Sequence, residues 1–164
     1  MVEILILYIL SKYDATIYKI RKLIQERFFM FSKPSLGTIN PALKKLEGLS
    51  CVEFESKMTD GGMLSKIYKI TPFGLKYLKS TVCSFEFKNK SHLLNIVSVL
   101  ICISDILDED EKKELYKNCT NHLLLLKKET EDALSNPYNM YEPVQKTVIE
   151  TELLKINALL EALQ

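Results

Sequence analysis

Residues 33–47 read KPSLGTINPALKKLE, and this stretch decides how the rest of the chain is interpreted. Apolar residues recur along it at spacings of three, four and three: Leu36, Ile39, Leu43 and Leu46. Such spacing is typical of a helix that buries one face. The pattern predicts a helix that ends near Glu47. Taken locally, Pro41 favours a start at Asn40, because proline is well tolerated at the first position of a helix.

Two further helices are predicted upstream of this stretch. The first ends near Lys12 and carries one apolar stripe: Ile4, Leu7, Tyr8 and Leu10. The second runs to Arg27, and Asp14 is its expected N-cap, because aspartate accepts hydrogen bonds from the free N–H groups of a helix start. Its inward-facing residues are Ile17, Ile20, Leu23 and Ile24. Three consecutive helices are therefore expected before residue 48.

After the third helix the apolar period changes from 3.6 to 2. Cys51–Lys57 and Lys66–Thr71 alternate apolar and polar residues, and their inward-facing members are Val52, Phe54, Tyr68 and Ile70. Between them, residues 59–62 contain two glycines, which favours a hairpin turn. Thr71-Pro72 then predicts a capped helix through Leu78. The order of three helices, a hairpin and a helix is that of a winged helix-turn-helix.

The second half of the chain is predicted to be helical throughout. The three segments are about 93–107, a helix that starts in the acidic run 108–111 and breaks at Asn136-Pro137, and 142–162. The last helix carries a seam with alternating spacings of four and three: Ile149, Leu153, Ile156, Leu160 and Leu163. Two heptads are too few for an independent coiled coil, so the seam needs a partner helix.

These patterns predict a fold that is mainly α with a two-stranded β wing. A winged helix-turn-helix domain would occupy residues 1–80, and an all-α dimerisation region would occupy residues 81–164. Charge divides in the same way, since residues 1–80 hold 13 basic and 7 acidic side chains and residues 81–164 hold 9 and 14. The first half is therefore +6 and the second −5, an asymmetry that indicates a polyanionic partner for the first half.

Composition excludes several classes of protein. With 47% hydrophobic and 26% charged residues the chain is typical of a soluble globular protein. It holds no apolar stretch of about 18 residues, so no membrane partner is expected. Four scattered cysteines without a CxxC pair predict a reduced, cytoplasmic protein. No phosphate loop, G-x-S-x-G, H-E-x-x-H or paired-carboxylate pattern is present, so we expect neither an enzyme nor a cofactor.

Residues 33–47 resemble the third-helix signature of the PadR family of transcriptional regulators, roughly K-P-S-x-G-T-[LI]-Y-P-A-L-x-[KR]-L-E. Gly61-Gly62 followed by residues 66–74 is similar to the family's wing and its Y-x-[IL]-T-x-x-G exit. Residues 136–138, before the last helix, more weakly resemble the dimerisation region. The resemblance implies that the third helix begins near Ser35 and embeds Pro41. It also implies a homodimeric regulator, most often a repressor, that binds a double-stranded DNA operator.

The implied site places residues 35–47 in the major groove and the wing, residues 57–66, on the DNA backbone. On a helical wheel the polar residues of the third helix face away from its apolar stripe. The expected DNA-binding residues are Ser35, Thr38, Asn40, Lys44, Lys45, Lys57 and Lys66. The expected dimer interface is formed by Leu94, Ile101, Ile149, Leu153, Ile156 and Leu160. Two such modules are needed because one reads only a short half-site.

The chain departs from the family pattern at several positions. Asn40 stands where the family usually has Tyr, Thr16-Ile17-Tyr18 replaces H-G-Y, and Ser65-Lys66 replaces a basic pair. These departures leave open a second reading, a winged-helix protein–protein interaction module that has lost sequence-specific DNA reading. A third reading is a thiol- or metal-sensing regulator that uses Cys119 and His122.

An effector site is also left open. Tyr8, Phe28 and Phe29 are candidates for a pocket that takes a small apolar effector, although core packing is the preferred interpretation. Multidrug-binding members of the family line a pore with a Trp pair. This chain has no Trp, so that mode of binding is not expected.

Overall fold

A computed structural model describes residues 1–58 and 64–164 of the chain. The turn predicted at residues 59–62 lies outside the described residues. The chain divides into two compact units, Met1–Ser84 and Phe85–Gln164. No helix in the described part is long and apolar enough to cross a membrane. The architecture is mainly helical with a two-stranded sheet, which confirms the predicted fold class.

The first unit has the predicted order of elements. They are α1 (Val2–Lys12), α2 (Ile17–Arg27), α3 (Leu36–Gly48), β1 (Val52–Met58), β2 (Leu64–Ile70) and α4 (Pro72–Cys83). Helix α1 lies at the centre and contacts α2, α3, α4 and β2. All seven residues Ile4–Leu10 are buried, so the single stripe predicted for α1 was too narrow. A helix that is apolar on all sides is a buried helix, and α1 forms the core of this unit.

Helix α2 begins two residues later than predicted. Thr16, and not Asp14, is its N-cap, and the Thr16 hydroxyl accepts a hydrogen bond from the Lys19 N–H at 3.3 Å. The reason lies far along the chain, since Ala15 exchanges two backbone hydrogen bonds with Tyr68 of β2, at 2.9 and 3.1 Å. This bridge holds Ala15 extended and delays the helix. Of the residues predicted to face inward in α2, two are fully buried and two half-buried: Ile20 and Ile24, then Ile17 and Leu23.

The sheet confirms the predicted inward-facing residues only in part. Strands β1 and β2 pair antiparallel, with Val52 opposite Ile70 and Phe54 opposite Tyr68. Val52 and Tyr68 are buried and Ile70 is half-buried, but Phe54 is 39% exposed, because the core covers only the start of β1. Strand β1 reaches Met58 and β2 begins at Leu64, so Lys57 and Lys66 lie within the paired strands.

Helix α4 starts as predicted and ends later. The Thr71 hydroxyl accepts a hydrogen bond from the Gly74 N–H at 2.9 Å, which is the expected cap. The helix continues to Cys83 instead of ending at Leu78. Val82, four residues after Leu78, is as fully buried as Leu78 itself, so one more turn packs against the core.

The second unit contains three α-helices: α5 (Leu93–Cys102), α6 (Glu109–Ser135) and α7 (Pro143–Ala162). The single segment predicted over 93–107 was wrong, because α5 stops at Cys102 and a short 3-10 turn follows. The Ser104 hydroxyl in that turn is bonded to the Ile101 carbonyl and the Tyr116 hydroxyl. Helix α6 has Asp108 as its N-cap, whose carboxylate accepts from the Glu111 N–H at 2.9 Å, and Asn136 as its C-cap, so it begins in the acidic run and breaks at Asn136 as predicted.

The apolar seam of α7 faces its own chain. Helix α7 contacts α5 and α6, and the seam residues Ile156 and Leu163 are buried there. The other three, Ile149, Leu153 and Leu160, are half-buried. The partner helices that the seam needed are therefore supplied in part within the same unit.

Two cysteines differ in their exposure, since Cys102 is exposed and Cys51 is fully buried. Cys51 lies between α3 and β1, where its N–H donates to the Leu46 carbonyl at 2.9 Å and its carbonyl accepts from the Thr71 N–H at 3.0 Å. These bonds hold it between α3 and the start of α4.

Candidate nucleic-acid interface

The buried residues of α3 determine which side of the helix faces solvent. Ile39, Leu43 and Leu46 are completely buried, so the opposite side of the helix faces solvent. The exposed side chains on that side are Gly37, Thr38, Asn40, Pro41, Lys44 and Lys45. The helical wheel predicts these residues to face outward except Asn40, which it places on the flank and which is exposed as well. The outer side of α3 is therefore a polar and basic surface.

Pro41 lies inside α3, which begins at Leu36. The local interpretation, with Asn40 as the cap, was wrong, and the start near Ser35 implied by the resemblance is the observed one. Proline removes the N–H that would bond to the carbonyl four residues earlier, here that of Gly37. Gly37 is exposed, so water can satisfy that carbonyl. The helix accommodates the proline because the proline lies on its solvent side.

Ser35 and Thr38 contact each other at the start of α3. Their hydroxyl oxygens lie 3.1 Å apart, and the Ser35 side chain does not cap the helix. Both residues are exposed. Each hydroxyl still has capacity to accept a further hydrogen bond.

The two lysines of α3 differ in their surroundings. The Lys45 ammonium donates to both carboxylate oxygens of Glu3, at 2.9 and 3.1 Å. The hydrogen bond and the charge of Glu3 raise the pKa of Lys45. Lys44 has no ion-pair partner among residues 1–58 and 64–164 and is exposed. Sequence reasoning missed Glu3, because it lies 42 positions from Lys45 and no local pattern joins them.

The two predicted lysines of the wing lie on neighbouring strands. The Lys66 ammonium is 3.6 Å from the centre of the Phe54 ring, a cation–π contact. The Lys57 ammonium is 3.8 Å from the carboxylate of Glu55, which is also bonded to Lys69 at 2.8 Å. Both predicted lysines are exposed. Each strand of the wing therefore presents one exposed lysine, Lys57 on β1 and Lys66 on β2.

A groove of about 310 Å³ lies between α2, α3 and β2. Its polar lining comes from Thr16 and Tyr18 at α2, Asn40 of α3, and Ser65 and Lys66 of β2. Tyr18 is 66% exposed and is not among the residues predicted to bind DNA. The groove brings Asn40 of α3 and Lys66 of the wing to one surface. Ser35 and Thr38, at the N-terminal end of α3, are exposed on the same side of the helix.

The residues predicted for the dimer interface all lie in the second unit. Five of them are half-buried: Leu94, Ile101, Ile149, Leu153 and Leu160. Ile156 is only 1% exposed, because its own chain covers it, so its side chain is not available to a partner in this arrangement. Large apolar side chains that sequence analysis did not select are exposed in the same unit: Leu124, Leu125, Val144, Val148 and Leu154.

Cys119 of α6 is buried, and His122, three residues later on the same helix, is half-buried. Burial raises the pKa of the Cys119 thiol to about 12, so it is protonated at neutral pH. The His122 Nδ1 is 3.0 Å from the Asn118 carbonyl, and its ring packs against Phe87 at 4.6 Å. Within the described ranges no three His, Cys, Asp or Glu side chains are placed to hold a metal ion.

The aromatic residues considered for an effector pocket divide into two groups. Tyr8 and Phe28 are buried and contact each other edge to face, with ring centres 5.8 Å apart. Phe29 is 59% exposed. Tyr8 and Phe28 thus pack in the core of the first unit, and Phe29 does not join them.

Comparison with known proteins identifies the family. A family model described as the transcriptional regulator PadR-like family matches residues 6–80. A PadR-like transcriptional regulator from Bacillus cereus is 31% identical over 48% of this chain and 74% of its own, with a TM-score of 0.42. This chain belongs to the PadR-like family of transcriptional regulators.

Two further solved structures match nearly the whole PadR-like chain. A Streptococcus mutans protein is 24% identical, covering 98% of this chain and 95% of its own, with a TM-score of 0.46. Bacillus subtilis PadR, solved in complex with operator DNA, is 18% identical over 98% and 94%, with a TM-score of 0.49. No curated protein matches the chain. The PadR-like family is one of transcriptional regulators and not of enzymes.

Proposed function

We propose that this PadR-like regulator is a cytoplasmic homodimeric repressor that binds a specific DNA operator. Helix α3 of each protomer lies in the major groove, and the wing lies on the DNA backbone. The observation that carries the proposal is the outer side of α3, where every exposed side chain from Gly37 to Lys45 is small, polar or basic. A major groove about 12 Å wide admits one such helix.

Charge supports the same assignment of roles. The first unit carries the net charge of +6, since residues 81–84 hold no charged side chain, and the second unit carries −5. Lysines that contact phosphates release counterions, and this release drives binding to any DNA sequence. The acidic second unit is repelled by DNA and is suited to hold two protomers together.

The first prediction concerns the salt dependence of DNA binding. Retardation of the DNA upstream of the protein's own gene should fall steeply as salt rises, because each phosphate contact contributes about −0.9 to the slope of log affinity against log salt. A gel-shift series over salt concentration measures this slope. Unrelated DNA of the same length is the control and should bind more weakly. Absence of retardation of either duplex at low salt would contradict the proposal and favour the protein–protein interaction module.

The second prediction concerns the dimer. We expect sedimentation equilibrium at micromolar concentrations to give twice the 18.9 kDa mass of one chain. The half-buried residues Leu94, Ile101 and Leu160 then become covered by the partner, together with exposed apolar residues of α7 such as Leu154. Leu154→Asp should shift the protein towards the monomer, whereas Lys128→Asp, also exposed but polar, should not. A wild-type protein that stays monomeric over this range would overturn this part of the proposal.

A further inference from the structure

The exposed side chains of α3 differ in what they can still bind. Gly37 and Pro41 carry no hydrogen-bonding side chain, and Lys44 can only donate. The Thr38 hydroxyl contacts Ser35 and is a single group that cannot form a two-bond contact, and the Lys45 ammonium is engaged with Glu3. Asn40 has no hydrogen-bond partner within the part of the chain that the structure describes. Its amide therefore offers a donor and an acceptor side by side, both open to solvent.

The position of Asn40 is held by the packing of α3. Its neighbour Ile39 is completely buried, and so is Leu43 one turn later, so the helix cannot rotate without exposing them. Asn40 lines the groove between α3 and β2, beside Ser65 and Lys66. A base edge that contacts the outer side of α3 therefore contacts Asn40 close to the positive charge of Lys66.

The chemistry of an exposed primary amide in the major groove is selective. Adenine presents its N7 acceptor and its N6 amino donor there, and an asparagine amide pairs with both at once. No other base presents that pair of groups in the same order. A side chain with a single hydroxyl could not form a two-bond contact of this kind.

We propose that Asn40 reads one adenine in each half-site of the operator. The inference rests on the proposed function, because it requires α3 to enter the major groove. Lys44 and Lys66 hold the phosphates on either side and leave the choice of base to the amide.

The test starts from duplexes selected from a random library by the wild-type protein. We expect the selected sites to share one adenine per half-site whose replacement by any other base weakens binding roughly ten- to hundredfold. Asn40→Ala should bind all four bases at that position equally while it keeps the preferences at the other positions. Asn121→Ala, an exposed asparagine of α6, is the matched control and should behave as the wild type.

A modified base separates this contact from a general loss of affinity. Replacing the selected adenine by 7-deazaadenine removes the N7 acceptor and should weaken the wild-type protein, but not Asn40→Ala. Circular dichroism of Asn40→Ala should match that of the wild type, as expected for an exposed residue. A selected site at which Asn40→Ala keeps the wild-type preferences would overturn the inference and leave the proposed function standing. Failure of the wild type to select any duplex at low salt would overturn both.

Discussion

Gly74→Ala is expected to destabilise the first unit by about 3 kcal/mol. A Cβ atom at this position would lie 1.9 Å from the Cys51 carbonyl oxygen and 2.7 Å from its carbon. Both are backbone atoms, so no side chain can move aside. The same carbonyl accepts hydrogen bonds from the Thr71 N–H and hydroxyl, at 3.0 and 3.2 Å. Any shift that relieves the clash therefore breaks the two hydrogen bonds that connect Cys51, just before β1, to Thr71 at the start of α4.

Urea unfolding followed by circular dichroism measures this effect. Domains of this size are stable by roughly 5–15 kcal/mol, so the loss would lower the midpoint markedly. Gly48→Ala is the matched control, since a Cβ there meets nothing within 4 Å and alanine favours the helix. Its midpoint should be unchanged or higher. Equal midpoints for Gly74→Ala and the wild type would show that the close approach does not hold in solution.

Elements set by neighbouring residues were predicted well from the sequence. The apolar spacing of α3 located its buried side, and Thr71-Pro72 and Asp108 located the starts of α4 and α6. In each case the interaction that decides the structure joins residues within one or two turns of a helix. Such interactions can be read from the order of residues alone.

Features set by distant residues were not predicted. The bridge between Ala15 and Tyr68 moved the start of α2, and the contact with Glu3 occupies Lys45. The seam of α7 predicted a partner helix without saying which one, and Ile156 is buried against helices of its own chain. The candidate site shows the same division. Exposure of the α3 side chains followed from periodicity, but which of them are already engaged depends on the tertiary fold.

Lys44→Glu is expected to reduce operator affinity about tenfold per subunit, and so about a hundredfold for a dimer. Lys44 is exposed on the outer side of α3, and among the described residues no carboxylate pairs with its charge. The substitution removes an attraction to phosphate and adds a repulsion. The loss should be similar for all DNA sequences, because phosphates are common to them. Gel-shift titrations with operator and unrelated DNA measure it, and Lys128→Glu on α6 is the control.

Lys45 provides the comparison that makes this prediction specific. Its ammonium already lies 2.9 Å from the Glu3 carboxylate. A DNA phosphate must therefore displace that carboxylate or bind close to its negative charge. Lys45→Ala should therefore weaken binding less than Lys44→Ala, although the two residues are adjacent and equally basic in sequence. Lys44→Ala should also lower the salt slope by about 1 per subunit, and Lys45→Ala by less. Equal losses for the two alanine variants would mean that Lys45 leaves Glu3 when DNA binds, because only a released ammonium can contribute as fully as Lys44.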